Sequence, residues 1–189
     1  MHLSQSHANQ ELWVFGYGSL MWRPGFPYLE RTPARLIGLH RALCVYSFVH
    51  RGTPEKPGLV LGLDRGGACR GIAYRVASAD RDATLAYLRE REQVTSVYLE
   101  TFHRITLAVP PRDVTALVFV VDRGHPQYAG RLDLEHQVHL VRQGHGRSGA
   151  NRDYVLSTVA EIEAQGCRDS GLHAIAERLK SGHEAHVSS

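Results

Sequence analysis

Lysine is nearly absent. Only Lys56 and Lys180 occur among the 22 lysines and arginines of this 189-residue chain. The positive charge is therefore almost all arginine, and it is scattered. No basic block resembles a nucleic-acid-binding arm, and a net charge of +3 is small, so nucleic acid is not an expected partner. Cysteine is scarce as well. Cys44, Cys69 and Cys167 lie far apart and form no C-x-x-C pair, and their odd number argues against a disulfide framework. Reduced thiols and a cytoplasmic location are expected. No apolar run approaches the ~18 residues of a membrane helix. Residues 1–10 are polar and lack the apolar core of a signal peptide. Neither a membrane nor secretion is expected.

What is present is ordinary for a globular protein. Hydrophobic content is 43% and charged content 22%, and the length suits one domain with a sizeable core. The expected organisation is a frayed N-terminus over 1–10, a single domain over 11–180 and a polar tail over 181–189. Strand patterns come first: Leu12–Tyr17, then Ala34–Val49 with an interruption near Gly38. A hairpin follows, Gly58–Leu63 joined to Cys69–Val76 through Arg65-Gly66-Gly67. Ser78 stands where a helix N-cap belongs, with Asp80 and Asp82 in the first turn. Tyr98–Val109 and Val114–Val121 read as strands turned at Pro110-Pro111. The last third reads as helices over Leu132–Gln143, Asn151–Gln165 and Leu172–Leu179. Strands flanked by segregated helices indicate an α+β fold. The pattern alone does not say whether the sheet closes.

Two features bear on chemistry. The run Trp13–Trp22, WVFGYGSLMW, is a short buried strand that breaks into a glycine-rich turn. Trp13, Val14 and Phe15 favour a strand, Gly16 and Gly18 free the backbone, Ser19 adds a hydroxyl, and Pro24-Gly25 ends the excursion. Such a turn can aim several amides at one point, as a cradle for an anion or oxyanion. It also suits a tight turn that holds nothing. The second feature is Glu92. On the helix after Ser78, Leu85, Leu88 and Glu92 share one stripe by their i, i+3, i+7 spacing, whereas Glu90 falls with Ala79, Ala83 and Ala86. Burial would raise the pKa of Glu92 and let it carry a proton near neutral pH. Alternatively Glu92 pairs with Arg91, or reaches solvent as the helix ends.

Other signals carry less. Gly144-x-Gly146-x-x-Gly149 spells a dinucleotide fingerprint but follows a helix and lacks a βαβ context; it reads as a flexible connection. Gly16-x-Gly18 has Met21 where a third glycine would stand. His136 and His139 lie three apart on a helix with no third ligand at metal spacing, so no metal is expected. His40 and Cys44 make no nucleophile–base pair.

The segment WVFGYGSLMWRPGF resembles the start of the ChaC-type γ-glutamylcyclotransferases, which cleave glutathione. The likeness continues at His50-Arg51-Gly52-Thr53 with Pro57-Gly58, at Tyr87-Leu88-Arg89-Glu90-Arg91-Glu92, and at Gly146-Arg147-Ser148-Gly149-Ala150-Asn151 with Tyr154. These blocks run in the family's order from Trp13 to Ala164. The resemblance implies a small, closed or nearly closed mixed β-barrel with peripheral helices, a small-molecule substrate, and no metal or other cofactor. Arg91-Glu92 matches the family's Arg-Glu pair, which implies that Glu92 is the catalytic acid/base. The implied reaction is an intramolecular aminolysis releasing 5-oxoproline and cysteinylglycine. Backbone amides of Gly16, Tyr17, Gly18, Ser19 and Leu20, with Phe15 leading into the turn, would hold the oxyanion. Tyr17, Ser19 and Tyr154 would bind the substrate's carboxylate and amine. Arg41, His50 and Arg51, beside Ser47 along or just after the long strand, would meet the glycine end, or form an ordinary exposed strand end. A cyclotransferase for other γ-glutamyl amines or dipeptides, and a non-catalytic γ-glutamyl-binding protein, are the alternatives.

Overall fold

The computed structural model describes residues 11–92 and 95–182. The frayed start expected over 1–10 lies outside the described residues, as do residues 183–189 of the tail expected over 181–189, while Ser181 belongs to the last helix. Five strands, β1 (Leu12–Gly16), β2 (Glu30–Ser47), β3 (Gly58–Val76), β4 (Tyr98–Ala108) and β5 (Pro111–Val121), form a closed barrel in the order β1-β3-β2-β4-β5. The barrel is mixed. β1 runs antiparallel to β3, from Leu12 opposite Val76 to Gly16 opposite Ile72, and parallel to β5 at Val14 opposite Leu117. With neighbours on both edges and both faces covered, every residue of β1 is buried, which accounts for its continuous apolar run. The helices are α1 (Arg81–Glu92), α2 (Leu134–Gln143), α3 (Asn151–Ala164) and α4 (Ser170–Ser181).

Contacts divide the chain into two units, Met1–His40 with Arg65–Val120, and Arg41–Asp64 with Val121–Ser189. The first holds β1, α1 and β4, and its core includes Val14, Phe15, Tyr74, Leu88 and Leu107. The second holds α2, α3 and α4, which pack on one another, around buried Leu59, Val141, Val155, Ile162 and Ile175.

Several expectations are corrected. The hairpin between Gly58 and Val76 is a single strand. Gly66 and Gly67 take φ of +103° and +67° within it, as in a bulge, and bend the strand without reversing it. The ring Nδ1 of His40 on β2 lies 3.0 Å from Gly66 O, alongside the bend. Ser78 does not cap α1: Ser78–Asp80 is a separate 3-10 turn entered at Ala77 with no side-chain cap, and α1 begins at Arg81. The turn between β4 and β5 is Val109-Pro110, so β5 starts at Pro111. Asp133 and Asp169 set the starts of α2 and α4, their carboxylates accepting from the amides of His136 and Leu172.

The Gly144–Gly149 stretch is not a flexible connection but a small hairpin of β6 (His145–Gly146) and β7 (Gly149–Ala150). Arg147 N and Ser148 N donate to Val49 O (2.8 Å) and His50 O (2.9 Å), so the hairpin is fastened to the chain just after β2. α3 begins where the hairpin ends, and Asn151 locks it. Its buried side chain accepts from Leu59 N (2.7 Å) and donates to Leu59 O (2.8 Å), as a neighbouring strand would. Gly58 is required for room, not for a turn after Pro57: a Cβ there would overlap the Arg51 carbonyl oxygen. Asn151→Ala would leave both polar groups of Leu59 buried and unpaired. We expect it to cost about 2–4 kcal/mol in urea unfolding; a loss under about 0.5 kcal/mol would show that the lock carries little.

Candidate active site

The glycine turn begins where β1 ends. Ser19–Met21 forms one turn of 3-10 helix, and Gly18 before it takes φ −129° and ψ −130°, outside the wells open to residues with a side chain. The freedom expected of Gly18 is therefore used. Gly16 serves differently: a Cβ there would lie 2.9 Å from Leu20 Cβ, so the turn folds back against bare backbone. Phe15, Tyr17 and Leu20 are buried and Ser19 is exposed. The amides of Gly18, Ser19 and Leu20 stand at the start of the turn, where a 3-10 helix has no earlier carbonyl to accept them.

Side chains from the same unit tie down the other end. The fully buried Tyr74 hydroxyl lies 2.8 Å from both Leu20 O and Met21 O, and Arg31 Nη2 donates to Met21 O at 3.2 Å. Burial pushes the Tyr74 phenol above its usual pKa.

Helix α1 approaches this turn with its last residues. Thr84 and Leu88 are its buried residues, Glu92 continues their line at the next i+4 position, and Leu85 lies at the margin. Ala79, Ala83, Ala86 and Glu90 are exposed. Glu92 therefore sits on the buried side, with its side chain 18% exposed and an Oε 3.8 Å from Arg91 Nε. Desolvation raises its pKa above the ordinary carboxylate value, and the Arg91 charge partly offsets that rise. Burial and pairing with Arg91, alternatives in the sequence, are both present.

Arg91 makes the link to the turn. Its Nη2 donates to Ser19 Oγ at 2.6 Å, and its Nη1 donates to Arg23 O at 2.7 Å and to the Tyr87 hydroxyl at 3.1 Å. Arg89 grips Glu100 on β4 through two bonds of 2.7 and 2.9 Å. The structure thus brings Phe15–Leu20 and the end of α1 together within one unit. Sequence reading missed Arg91 as a turn ligand, and it missed Tyr74, Arg31 and Tyr87. Arg91 is visible in the sequence only as the neighbour of Glu92, because its turn partners lie 67 to 72 positions away.

In the other unit, Arg51 and Tyr154 meet. The Arg51 guanidinium lies 5.3 Å from the Tyr154 ring centroid, and its Nη1 donates to Ser148 O at 2.5 Å. The Tyr154 hydroxyl accepts from Leu61 N at 3.1 Å. Exposed His50 contacts Ser148 Oγ through Nδ1 at 3.0 Å. Arg41 belongs to the same unit. Its side chain, 2% exposed, pairs at 3.3 Å with Asp169, the cap of α4.

The raised pKa of Glu92 has a stability consequence. The folded state holds this proton more tightly than the unfolded chain. Its contribution is present at low pH and is lost as pH rises through the native pKa. Glu92→Gln, which never ionises, is expected to raise Tm over wild type at neutral pH. The gain should vanish at about pH 3.5, where Glu92 is protonated in both states. A Tm difference equal at every pH would contradict a desolvated charge at this position.

The ChaC-like protein family matches residues 12–181 of this chain. The glutathione-specific gamma-glutamylcyclotransferase of Escherichia coli (strain K12) is 36% identical over 169 residues, covering 89% of this chain and 73% of that protein. Human glutathione-specific gamma-glutamylcyclotransferase 1 is 33% identical over 177 residues, covering 90% of this chain and 79% of that protein. Among solved structures, the gamma-glutamyl cyclotransferase specific to glutathione from yeast aligns with a TM-score of 0.79, covering 92% of this chain and 99% of that one. At 22% identity it speaks for the fold alone, and it agrees with the closed barrel and its helices. No helix among the described residues is long and apolar enough to cross a membrane. With the family match covering both units of the fold, the chain belongs to the ChaC-like protein family.

Proposed function

We propose that this protein is a γ-glutamylcyclotransferase that converts glutathione to 5-oxoproline and cysteinylglycine, with Glu92 as general acid and base. The observation that carries this reading is a desolvated Glu92 carboxylate beside Arg91, whose guanidinium is bonded to Ser19 of the glycine turn. The relatives' names support the activity.

The nucleophile is the substrate's own α-amine. Glu92 takes a proton from the α-ammonium, and the freed amine attacks the γ-carbonyl to form the ring C–N bond. Glu92 then gives that proton to the departing amide nitrogen as the old C–N bond breaks, and the surplus proton left on the ring nitrogen passes to the released amine, so that the products are the lactam and an ammonium. A raised pKa suits both halves, because one carboxyl must accept and release the same proton near neutral pH. Amides within Gly16–Leu20 would stabilise the tetrahedral oxyanion, while Tyr17 and Ser19 would hold the γ-glutamyl carboxylate and amine. Curling the γ-glutamyl chain so that amine and carbonyl meet can supply up to ~7–11 kcal/mol of the barrier. Substrate roles for His50, Arg51 and Tyr154 rest on the resemblance and on the contacts those residues share. Arg41, whose guanidinium also pairs with Asp169 at the start of α4, has its substrate role from the same resemblance. Three buried cysteines outside any disulfide support a cytoplasmic place of work.

Purified protein incubated with glutathione should release 5-oxoproline and cysteinylglycine in equal amounts. Glu92→Gln should lower kcat about 10²–10⁴-fold. No 5-oxoproline from wild type, or undiminished turnover in Glu92→Gln, would defeat the proposal.

A further inference from the structure

The geometry points to Arg91 as a positioning residue for Glu92. One guanidinium clasps the glycine turn to the end of α1 and places its charge beside the Glu92 carboxylate. This inference rests on the proposed role of Glu92.

The distribution of donors carries it. Nη2 is bonded to Ser19 Oγ, Nη1 faces Arg23 O, Pro24 O and the Tyr87 hydroxyl, and Nε faces Glu92 at 3.8 Å. Both terminal nitrogens of the planar fork are thus hydrogen-bonded, and Nε is turned toward Glu92. An ammonium is a point charge on a flexible stem and cannot serve these directions together. The Arg91 side chain is 23% exposed; its bonds to Ser19 and Arg23 lie at the surface, while those to Pro24 and Tyr87 are partly buried.

The bond to Ser19 has a further effect. A hydroxyl has one proton to donate and two lone pairs. Because Ser19 Oγ accepts from Arg91, its own proton is left to donate elsewhere, and a carboxylate of the substrate is the ligand that would take it. Arg91 would thus fix the polarity of Ser19 as well as the separation of turn and acid.

Other charges nearby are committed. Arg89 is held by Glu100 on β4, whose pKa its hydrogen bonds lower. Arg31 is engaged at Met21 O. Glu90 is exposed on the opposite side of α1. The Tyr87 hydroxyl lies against Arg91. Arg91 is the cation beside Glu92 among the described residues, and its charge opposes the effect of burial there.

The two functions of Arg91 separate in two variants. Arg91→Met removes the charge and the clasp; Arg91→Lys keeps a charge but loses the fork. Each is followed by kcat/KM against pH and by the ¹³C titration of the Glu92 carboxyl, with far-UV circular dichroism to verify folding. In Arg91→Met, the Glu92 titration and the acid limb of kcat/KM should move up by about one pH unit, and kcat should fall at least tenfold. In Arg91→Lys, the titration should stay within about 0.3 pH unit of wild type while kcat still falls about tenfold. An unmoved Glu92 titration in Arg91→Met, an equal displacement in both variants, or wild-type kcat in Arg91→Lys would each overturn the inference. Should Arg91→Met fail to fold, the Arg91→Lys results decide. If wild type forms no 5-oxoproline, the proposed function fails instead, and the Glu92 titrations still test the charge effect.

Discussion

Removing a carboxylate from water is unfavourable unless hydrogen bonds or an opposite charge replace the lost hydration. At the end of α1 the replacement is partial. Glu92 follows Thr84 and Leu88 on the buried side of the helix, and Arg91 faces it at 3.8 Å, outside hydrogen-bond range. The imbalance raises its affinity for a proton, as the proposed role in accepting and donating one requires. The rest of the first unit serves to hold that helix end where it is. Arg89 ties it to β4 through Glu100, and Arg91 ties it to the turn after β1.

The turn is held as firmly as the helix. The Tyr74 hydroxyl and Arg31 satisfy the carbonyls of Leu20 and Met21, and Gly16 lets Leu20 fold back on the strand end. Amides at the other end of the turn are thereby given fixed directions, as oxyanion donors need. In the second unit, the blocks around His50-Arg51-Gly52 and Gly146–Asn151 prove to be parts of one construction. The β6-β7 hairpin hangs on Val49 and His50, Arg51 reaches Ser148 and Tyr154, and Asn151 stitches α3 to Leu59.

Much of this is legible in the amino-acid sequence. Strand β1, the turn, the helical last third and the buried side of α1 follow from local patterns, and the four blocks point to the barrel family. What escapes depends on distant partners. Barrel closure joins β1 to β5, over a hundred positions along, at Val14 opposite Leu117, and no local period encodes that. Two glycines at positive φ serve a bulge as well as a turn, so the single strand β3 has the pattern of a hairpin. Ser78 has the chemistry of a cap, but the chain first makes a 3-10 turn and begins α1 three residues later. Arg91 reads as a charge beside Glu92; its grip on Ser19 and Arg23 exists only once the turn has folded against the helix end.

The most direct test of the account compares two midpoints in the same wild-type protein. One comes from the ¹³C titration of the Glu92 carboxyl. The other is the acid limb of kcat/KM for 5-oxoproline release, which reports the essential base of the free enzyme. The account requires the two to coincide, above the ordinary glutamate value of about 4.3. A Glu92 midpoint at the ordinary value, or an acid limb that does not follow it, would contradict the claim that this buried carboxylate carries the proton.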